Sequence, residues 1–242
     1  MTQLIDTTEM YLRTIFELME EGVTPMRARI AERLGHSGPT VSQTVARMER
    51  DGLLRVDGDR HLELSEQGRL IATRVMRKHR LAERLLVDVL GLEWEFAHAE
   101  ACRWEHVISE QVERRILALI GAQTESPYGN PIPGLAELGA SADTPVFRNG
   151  LVGLTELSEL GPDPQLAVVR RIGEPAQNDP QKLAELRSAG IKPGVLVRVT
   201  MQENMVGVQR ADAPVSAKGG GTGALVRLEP SVAAHVFVSL DV

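Results

Sequence analysis

Apolar residues recur at helical spacing through the first half of the chain and alternate over short stretches in the last third. The first apolar stripe follows a D-x-x-E capping pattern at residues 6–9, so we expect a helix to begin there. Met10 does not belong to this stripe and falls on the opposite, polar face, where it is a chance residue, part of a partner surface or a thioether ligand. The stripe itself consists of Tyr11, Leu12, Ile15, Phe16, Leu18 and Met19.

Two short helices and a hairpin are predicted next. Thr24-Pro25 and Ser37-Gly38-Pro39 each supply a helix cap followed by an early proline. In the second of these helices the apolar face consists of Val41, Val45 and Met48. Short apolar runs at residues 53–56 and 61–64 flank a turn with Arg60 at its tip. Helix, helix and hairpin in this order predict a winged helix-turn-helix.

The outward face of the helix that follows Ser37-Gly38-Pro39 is polar and basic, and the helix before it also carries arginines. Short polar side chains at its start suit base edges in the major groove, and arginines suit DNA phosphates. The phosphate candidates here are Arg27, Arg29, Arg47 and Arg50. We therefore favour DNA binding, and the alternative is a winged-helix protein module with a solvated polar face.

Three further helices are expected, from Ser65 to about Leu90, from about Trp94 to His106, and from Ser109 to Gly121. Their apolar residues exceed what one small helical hairpin can bury, which predicts a homodimer interface. Trp104 is a candidate anchor of that interface. The alternative is an ordinary core within one chain.

Short strands and turns dominate after a proline-rich stretch at residues 126–134, which is either a plain linker or an extended ligand for an SH3-like groove. The predicted fold is a mainly α N-terminal part with a small C-terminal SH3-like β-barrel. The predicted domains are a winged helix-turn-helix DNA-binding domain at 1–72, a helical dimerisation and metal-binding domain at 73–140, a flexible linker at 141–164 and the SH3-like domain at 165–242.

Composition and charge narrow the class of protein. The chain of 242 residues has a single cysteine, which excludes an internal disulfide, and no signal-peptide pattern or membrane-spanning run is present, so we expect a cytoplasmic protein. The net charge of −6 is uneven: residues 1–80 carry 13 Lys and Arg against 12 Asp and Glu, and the remainder carries 14 against 21. A DNA-binding part would therefore lie at the N-terminus.

Candidate metal ligands are concentrated in residues 101–106. Cys102, Glu105 and His106 share one helical face, because they stand at positions i, i+3 and i+4. A thiolate, a carboxylate and an imidazole on one face form most of a transition-metal site. The alternative is an amphipathic helix with a buried cysteine beside a surface glutamate and histidine.

Long strings on both predicted helical domains resemble the diphtheria toxin repressor family, the iron-dependent regulators of actinobacteria. The resemblance is close over residues 1 to about 140 and loose in the C-terminal barrel. The strings that carry it are DTTEMYLRTI at 6–15, RARIAERL at 27–34, SGPTVSQTV at 37–45, MRKHRLAE at 76–83 and EACRWEH at 100–106.

The resemblance implies two Fe²⁺ ions per subunit, for which Co²⁺, Ni²⁺, Mn²⁺ or Zn²⁺ can substitute in vitro. The primary, activating site would consist of Met10, Cys102, Glu105 and His106, which also gives a reason for the methionine outside the apolar stripe. The ancillary site would consist of His79, Glu83, His98, Glu174 and Gln177. An anion near the ancillary site would be held by Arg80, Ser126 and Asn130.

For DNA, the resemblance places Ser37, Pro39 and Gln43 against base edges. It places Arg27, Arg29, Thr40, Ser42, Arg47, Arg50 and Arg60 against phosphates. The chain departs from its relatives at His36, where they usually carry glutamine.

The expected function is an Fe²⁺-activated transcriptional repressor, not an enzyme, that binds palindromic operators as a homodimer, with two dimers per operator as a further expectation, and controls iron homeostasis genes. One alternative is a manganese-responsive repressor of the same fold. Sulfur ligands from Met10 and Cys102 favour iron, cobalt or nickel over manganese. Another alternative is a redox switch built on Cys102, for which no nucleophile–base pair is evident.

Overall fold

The computed structural model describes residues 6–121, 123–140, 145–157, 163–202, 204–214 and 221–241. The chain divides into two compact units. The first unit consists of Met1–Ala82, Ala101–Thr124 and Ile132–Phe147, so far as these ranges are described, and the second of Glu83–Glu100, Glu125–Pro131 and Arg148–Val242. None of the helices in the described ranges combines the length and apolar character that a bilayer span requires.

The first unit opens with the predicted winged helix-turn-helix, which is confirmed. Its elements are α1 (Thr7–Glu20), α2 (Arg27–Leu34), α3 (Gly38–Arg50) and a hairpin of β1 (Leu54–Val56) and β2 (Leu62–Leu64). Two of the three predicted caps are confirmed: the Asp6 carboxylate accepts from the backbone N–H groups of Thr8 and Glu9, and Ser37 accepts from that of Thr40. The prediction of a cap at Thr24-Pro25 is wrong, because α2 begins at Arg27 with Met26 at its N-cap and no side-chain cap. Arg60, in the turn of the hairpin, has a φ of 71°.

Burial in this domain follows the apolar periodicity. Val41, Val45 and Met48 of α3 are fully buried and pack with the apolar face of α1, while Ser42, Gln43 and Arg47 between them are exposed. The hydrophobic contact of three helices and a hairpin fixes α3 with its polar face outward. This is the orientation that binding in a DNA groove requires.

The rest of the first unit is helical and contains a buried ion pair. This part contains most of α4 (Glu66–Arg84), the end of α5 (Trp94–Trp104), α6 (Glu110–Leu119) and a 3₁₀ turn at Leu135–Leu138. Arg77 on α4 donates to Glu113 on α6 at 2.6 Å, and its Nη1 donates to the carbonyl oxygen of Gly134 at 2.9 Å. Because both charged groups are buried, the removal of one partner would leave an uncompensated charge.

The second unit contains the rest of the helical elements and a six-stranded sheet. A π-helical turn at Leu85–Val89 follows α4 and precedes the start of α5. The remaining helices are α7 (Leu154–Leu157), α8 (Glu174–Gln177), α9 (Pro180–Ser188) and α10 (Pro230–Ala233). The strands are β3 (Val152–Gly153), β4 (Gln165–Ile172), β5 (Leu196–Gln202), β6 (Met205–Arg210), β7 (Val226–Leu228) and β8 (Val236–Ser239).

The strand order is β3-β8-β4-β5-β6-β7, and every neighbouring pair is antiparallel. The C-terminal sheet domain is therefore confirmed, but the expected barrel is not closed: within the described ranges, β3 and β7 form two edges of an open sheet. The physical reason is that these edge strands are two and three residues long and offer little ladder to pair.

Part of the stretch expected to be a flexible linker has a defined structure. Within residues 141–164, the structure describes 145–157 and 163–164, and Val152–Gly153 pairs with β8. Leu154 and Leu157 of α7 are buried. Burial of these leucines compensates for the loss of chain entropy that a mobile linker would retain. Residues 141–144 and 158–162 lie outside the described residues.

Candidate metal centre and DNA-binding surface

The end of α5 and the two residues after it contain three of the four primary metal candidates, and Glu105 and His106 lie close together in the first unit. The backbone N–H of Glu105 still donates to Ala101, which continues the helical turn from Cys102. His106 Nε2 lies 3.3 Å from Glu105 Oε1. Two ligands that share one ion at about 2.1 Å each stand about 3 Å apart, so this separation suits a common metal. Glu105 is buried, whereas Cys102 is partly exposed.

Helix α1 contacts this segment on both sides of Met10. His106 Nδ1 lies 2.6 Å from Glu9 Oε2, and Arg13 Nη1 donates to Glu105 Oε2 at 2.5 Å and to Cys102 Sγ at 3.4 Å. Met10 lies between these two contacts on a helix, within about 60° of Arg13 around the axis. Its side chain is partly buried and also packs against the core of the winged domain. The backbone therefore places Met10 on the side of α1 that faces the segment.

Arg13 is a functional residue that sequence reasoning missed. Its guanidinium contacts Glu105 and Cys102 and forms an ion pair with Glu17 at 2.9 Å. Burial alone would lower the pKa of Arg13, but the charges of Glu105 and Cys102 outweigh it and raise the pKa well above the ordinary value. A permanent cation beside Glu105 stabilises the carboxylate, which is the form that binds a metal, while its own charge opposes a metal ion at the same donors.

His79, a candidate ligand of the ancillary site, contacts Glu105, a candidate ligand of the primary site. Its Nδ1 lies 2.7 Å from Glu105 Oε2, and because an ionised carboxylate only accepts, Nδ1 carries the proton. The ring then presents Nε2 as its acceptor, in the arrangement that carboxylates commonly impose on metal-binding histidines. Burial alone would raise the pKa of Glu105, but Arg13 and His79 outweigh it and lower the pKa to about 2. Glu105 is therefore an anion at neutral pH.

The carboxylate of Glu9 is a second contact that sequence reasoning missed. Its hydrogen bond raises the pKa of His106 above the ordinary value of histidine, against the opposing effect of burial. With the Nδ1 proton held by Glu9, Nε2 is the nitrogen that faces Glu105. His79 and His106 thus each have an orienting carboxylate, which fixes the tautomer that a metal ligand needs.

The donor set fits a borderline transition metal. Met10 and Cys102 offer sulfur, Glu105 offers oxygen and His106 offers nitrogen, and such mixed sets suit Fe²⁺, Co²⁺ and Ni²⁺ better than hard cations. The buried, fully ionised carboxylate supplies negative charge without competition from protons. The residues present therefore fit the metal that the family resemblance implies.

Four of the five ancillary candidates belong to the second unit. His98 Nδ1 lies 3.5 Å from Glu83 Oε1, and both side chains are buried. Glu174 and Gln177 form the buried ends of the four-residue helix α8. The fifth candidate, His79, is described above in the first unit. The sequence signal for α8 is weak, because Pro175 interrupts the pair and the helix is short.

Two buried amide oxygens in the second unit lack a hydrogen-bond partner among the described residues. The amide groups of Asn130 and Gln177 both donate to the carbonyl oxygen of Ile172, at 2.9 and 2.7 Å. Their own oxygens, Asn130 Oδ1 and Gln177 Oε1, are buried without a partner in the described ranges. A buried acceptor without a donor costs about 1–3 kcal/mol. A cation at Gln177 Oε1 would remove that cost, which is consistent with its expected role as a ligand.

The anion candidates divide between the units. Arg80 is fully buried in the first unit, where its guanidinium donates to both oxygens of Glu20, at 2.9 and 2.6 Å. In the second unit the N–H of Ser126 donates to the carbonyl oxygen of Asn130 at 2.7 Å, and Ser126 Oγ accepts from the N–H of Tyr128. Glu20 is a partner of Arg80 that the sequence did not suggest.

Most of the DNA candidates on the winged domain are exposed. Ser37 Oγ lies 2.8 Å from Thr40 Oγ1 at the start of α3, and Arg29 forms an exposed ion pair with Glu32. His36, where the family resemblance leads us to expect glutamine, is held away from this role by the hydrogen bond between its Nδ1 and the Tyr11 hydroxyl at 2.9 Å. Arg27 is partly buried, and the other candidates are exposed: Ser37, Pro39, Thr40, Ser42, Gln43, Arg47, Arg50 and Arg60.

Apolar side chains are exposed around the predicted dimerisation helices. In the first unit, Val107, Val112 and Leu119 are exposed, the first of them to 73%, and Trp104 is partly exposed. In the second unit, Leu90 and Phe96 are exposed. Large apolar side chains exposed to solvent are typical of interaction surfaces. They suit a homodimer contact of the kind that the helical periodicity predicts.

A winged helix-turn-helix with a mixed sulfur, oxygen and nitrogen donor set defines the class of metal-dependent transcriptional regulators. Two family models match the chain: "Iron dependent repressor, N-terminal DNA binding domain" over residues 3–62, and "Iron dependent repressor, metal binding and dimerisation domain" over residues 65–134. The iron-dependent repressor IdeR of Mycobacterium tuberculosis is 62% identical over 199 residues, which cover 82% of this chain and 86% of that protein. The chain belongs to the iron-dependent repressor family.

Further comparisons agree on fold and class. The diphtheria toxin repressor of Corynebacterium diphtheriae is 51% identical over 207 residues, which cover 85% of this chain and 89% of that protein. A solved manganese-dependent transcriptional repressor in complex with manganese superposes with a TM-score of 0.74 at 30% identity, covering 96% of this chain and 99% of that one. The protein is therefore a metal-dependent, DNA-binding repressor that dimerises, and the family is one of regulators, not enzymes.

Proposed function

We propose that this protein is an Fe²⁺-activated repressor that binds palindromic operators as a homodimer and controls iron homeostasis genes. The observation that carries the proposal is the sulfur-containing donor set Met10, Cys102, Glu105 and His106, supported by the contacts of α1 with residues 102–106. Acting on chromosomal DNA, it would work in the cytoplasm. The two Fe²⁺ ions per subunit and the assembly of two dimers per operator are parts of the same proposal.

We assign the primary site to those four residues. A bound metal ion supplies positive charge and a fixed coordination geometry. Met10 belongs to α1, whereas the other three ligands follow one another at the end of α5, so ligation by all four holds α1 against that segment. Glu9 and Arg13 orient His106 and Glu105 before the ion arrives. Because α1 packs against α3 through the winged-domain core, the position of α1 sets the position of α3, the helix expected to contact the bases.

We assign the ancillary site to His79, Glu83, His98, Glu174 and Gln177, and the neighbouring anion to Arg80, Ser126 and Asn130, as the family resemblance implies. The buried, unpartnered oxygen of Gln177 and the paired Glu83 and His98 support a cation in the second unit. The role of Cys102 as a ligand, beside Arg13 and Glu105, accounts for the single cysteine without a redox function.

Anaerobic titration of operator binding with a series of metals tests the proposal. Fluorescence anisotropy of a labelled operator duplex is measured against free Fe²⁺, Co²⁺, Ni²⁺ and Mn²⁺ at fixed protein concentration. We expect Fe²⁺ to activate binding and Mn²⁺ to require a higher free concentration, because sulfur donors disfavour the harder ion. Activation by Mn²⁺ at equal or lower concentration would identify a manganese-responsive regulator. Binding without dependence on any metal would refute metal activation.

Base readout and phosphate contact are separable on the winged domain. We expect Gln43→Ala to lower the preference for operator over random DNA by about tenfold, because one specific base contact is lost. Arg60→Ala should weaken binding to both DNAs equally and reduce the salt dependence of binding, because a phosphate contact is lost. The controls are Gln67→Ala and Arg69→Ala, exposed residues of α4 outside the DNA face. Equal losses on both DNAs for Gln43→Ala would contradict its assignment to base edges.

A further inference from the structure

A basic cavity of about 880 Å³ lies entirely within the second unit. One wall is the segment Glu125–Pro131, and another is the loop that follows α9 and leads to Gly194. Six basic side chains line it, against two acidic ones, Asp88 and Glu125. The six are Arg84, Arg170, Arg171, Arg187, Lys192 and Arg210.

This concentration of positive charge runs against the composition of the region. Residues 81–242 carry 14 Lys and Arg against 21 Asp and Glu, so this part of the chain is acidic. Six of those 14 basic residues nevertheless line one cavity. Like charges crowded into a concave surface repel one another and focus a positive potential, which attracts anions. A cavity of this volume is also in the range of small-molecule sites.

Some of the basic side chains have internal counter-charges and others do not. Arg84 pairs with Asp88 at 3.1 Å, and Arg187 pairs with Glu95 at 2.8 Å. By contrast, Lys192 forms no ion pair among the described residues, and in the same ranges the side chain of Arg170 makes one hydrogen bond, from its Nε to the Ser239 hydroxyl at 2.9 Å. The Nη groups of Arg170 and the ammonium group of Lys192 therefore retain donors for a ligand.

The walls of the cavity are fixed by the fold. The N–H of Ile172 donates to the carbonyl oxygen of Tyr128 at 2.9 Å, which holds the proline-rich segment on β4. Gly129 allows the close approach, because a Cβ there would stand 2.0 Å from the carbonyl oxygen of Arg170. Trp94 stacks on Tyr128 with ring centroids 5.0 Å apart and also lines the cavity. The site thus combines rigid walls, an aromatic surface and donors.

We propose that this cavity binds a small organic polyanion, with two or more phosphate or carboxylate groups near Arg170 and Lys192 and a planar apolar part near Trp94. Guanidinium groups bind such oxyanions through paired hydrogen bonds. The site is distinct from the metal centre and from the expected anion position: of the three anion candidates, only Ser126 lines this cavity. The inference does not depend on which metal activates the repressor.

Calorimetric titration of the full-length protein at fixed ionic strength tests the proposal, with adenosine diphosphate, pyrophosphate and adenosine as probes in metal-free buffer. We expect saturable binding of one adenosine diphosphate per subunit, weaker binding of pyrophosphate and no binding of adenosine. The double variant Arg170→Gln with Lys192→Gln should weaken adenosine diphosphate binding by about tenfold or more, because two charge-assisted contacts are lost.

The matched control is Arg69→Gln with Arg115→Gln, which removes the same charge from two exposed residues of the first unit. It should change the dissociation constant by less than about twofold. Melting curves check that each variant is folded, and the single Lys192→Gln variant carries the test should the double variant unfold. Equal affinity in the cavity variant and the wild type, an equal loss in the control, or no binding of either anion at about 10 mM would each overturn the proposal.

Discussion

Replacement of Met10 by leucine is expected to raise the Fe²⁺ concentration needed for operator binding by about 100-fold or more. Leucine preserves the apolar volume that packs against the winged-domain core, but it has no sulfur to offer a metal. The ion would then be held by Cys102, Glu105 and His106 alone, and α1 would supply no ligand. The protein should remain a folded dimer, and anisotropy of a labelled operator during anaerobic Fe²⁺ titration measures the shift.

Met19→Leu is the control for this experiment, because Met19 is also a partly buried methionine of α1 that packs against the same core. It makes the same chemical change away from residues 102–106, and it should respond to Fe²⁺ as the wild type does. Cys102→Ala should behave like Met10→Leu. If Met10→Leu binds operator at the same Fe²⁺ concentration as Met19→Leu, the thioether is not a ligand and the primary site is misassigned.

The winged domain could be predicted from the sequence because its signals are local. The Asp6 and Ser37 caps fix where α1 and α3 begin, and apolar spacing determines which face is buried. Each of these features depends on residues within one or two turns of one another. The start of α9 at Pro180 has a local signal of the same kind, because Asp179 caps this helix.

Features that depend on distant residues could not be predicted in this way. The two-residue strand β3 pairs with β8, more than 80 residues later, and its sequence looked like part of a linker. The open sheet likewise depends on which short edge strands meet. The π-helical turn at Leu85–Val89 continues the periodicity of α4 closely enough that the sequence predicts one uninterrupted helix.

The candidate metal site also combines features that are local in sequence with features that depend on distant residues. Cys102, Glu105 and His106 are close in sequence, so their spacing alone predicted that they share a face. Arg13 and Glu9 lie about 90 residues earlier, and helical periodicity gives no indication that Arg13 would contact Glu105 and Cys102. Salt bridges between residues far apart in sequence have no periodic signature. Only the packing of α1 against the end of α5 reveals them.

Operator DNA is expected to tighten Fe²⁺ binding by the same factor by which Fe²⁺ tightens operator binding, and we expect this factor to lie between about 5 and 150. The physical reason is that both ligands favour one position of α1: the metal through Met10 and residues 102–106, and the DNA through α3, which packs on α1. Glu9 and Arg13 already join α1 to that segment, so the metal has only part of the ordering left to achieve.

The measurement is a closed cycle at one fixed dimer concentration. Fe²⁺ affinity is determined anaerobically by chelator competition with and without a saturating operator duplex, and operator affinity is determined with and without saturating Fe²⁺. A random duplex of the same length is the control, and it should tighten Fe²⁺ binding less than the operator does. If Fe²⁺ binds equally well with and without operator, and operator binds equally well with and without Fe²⁺, the two ligands are not coupled and α1 is not a shared element.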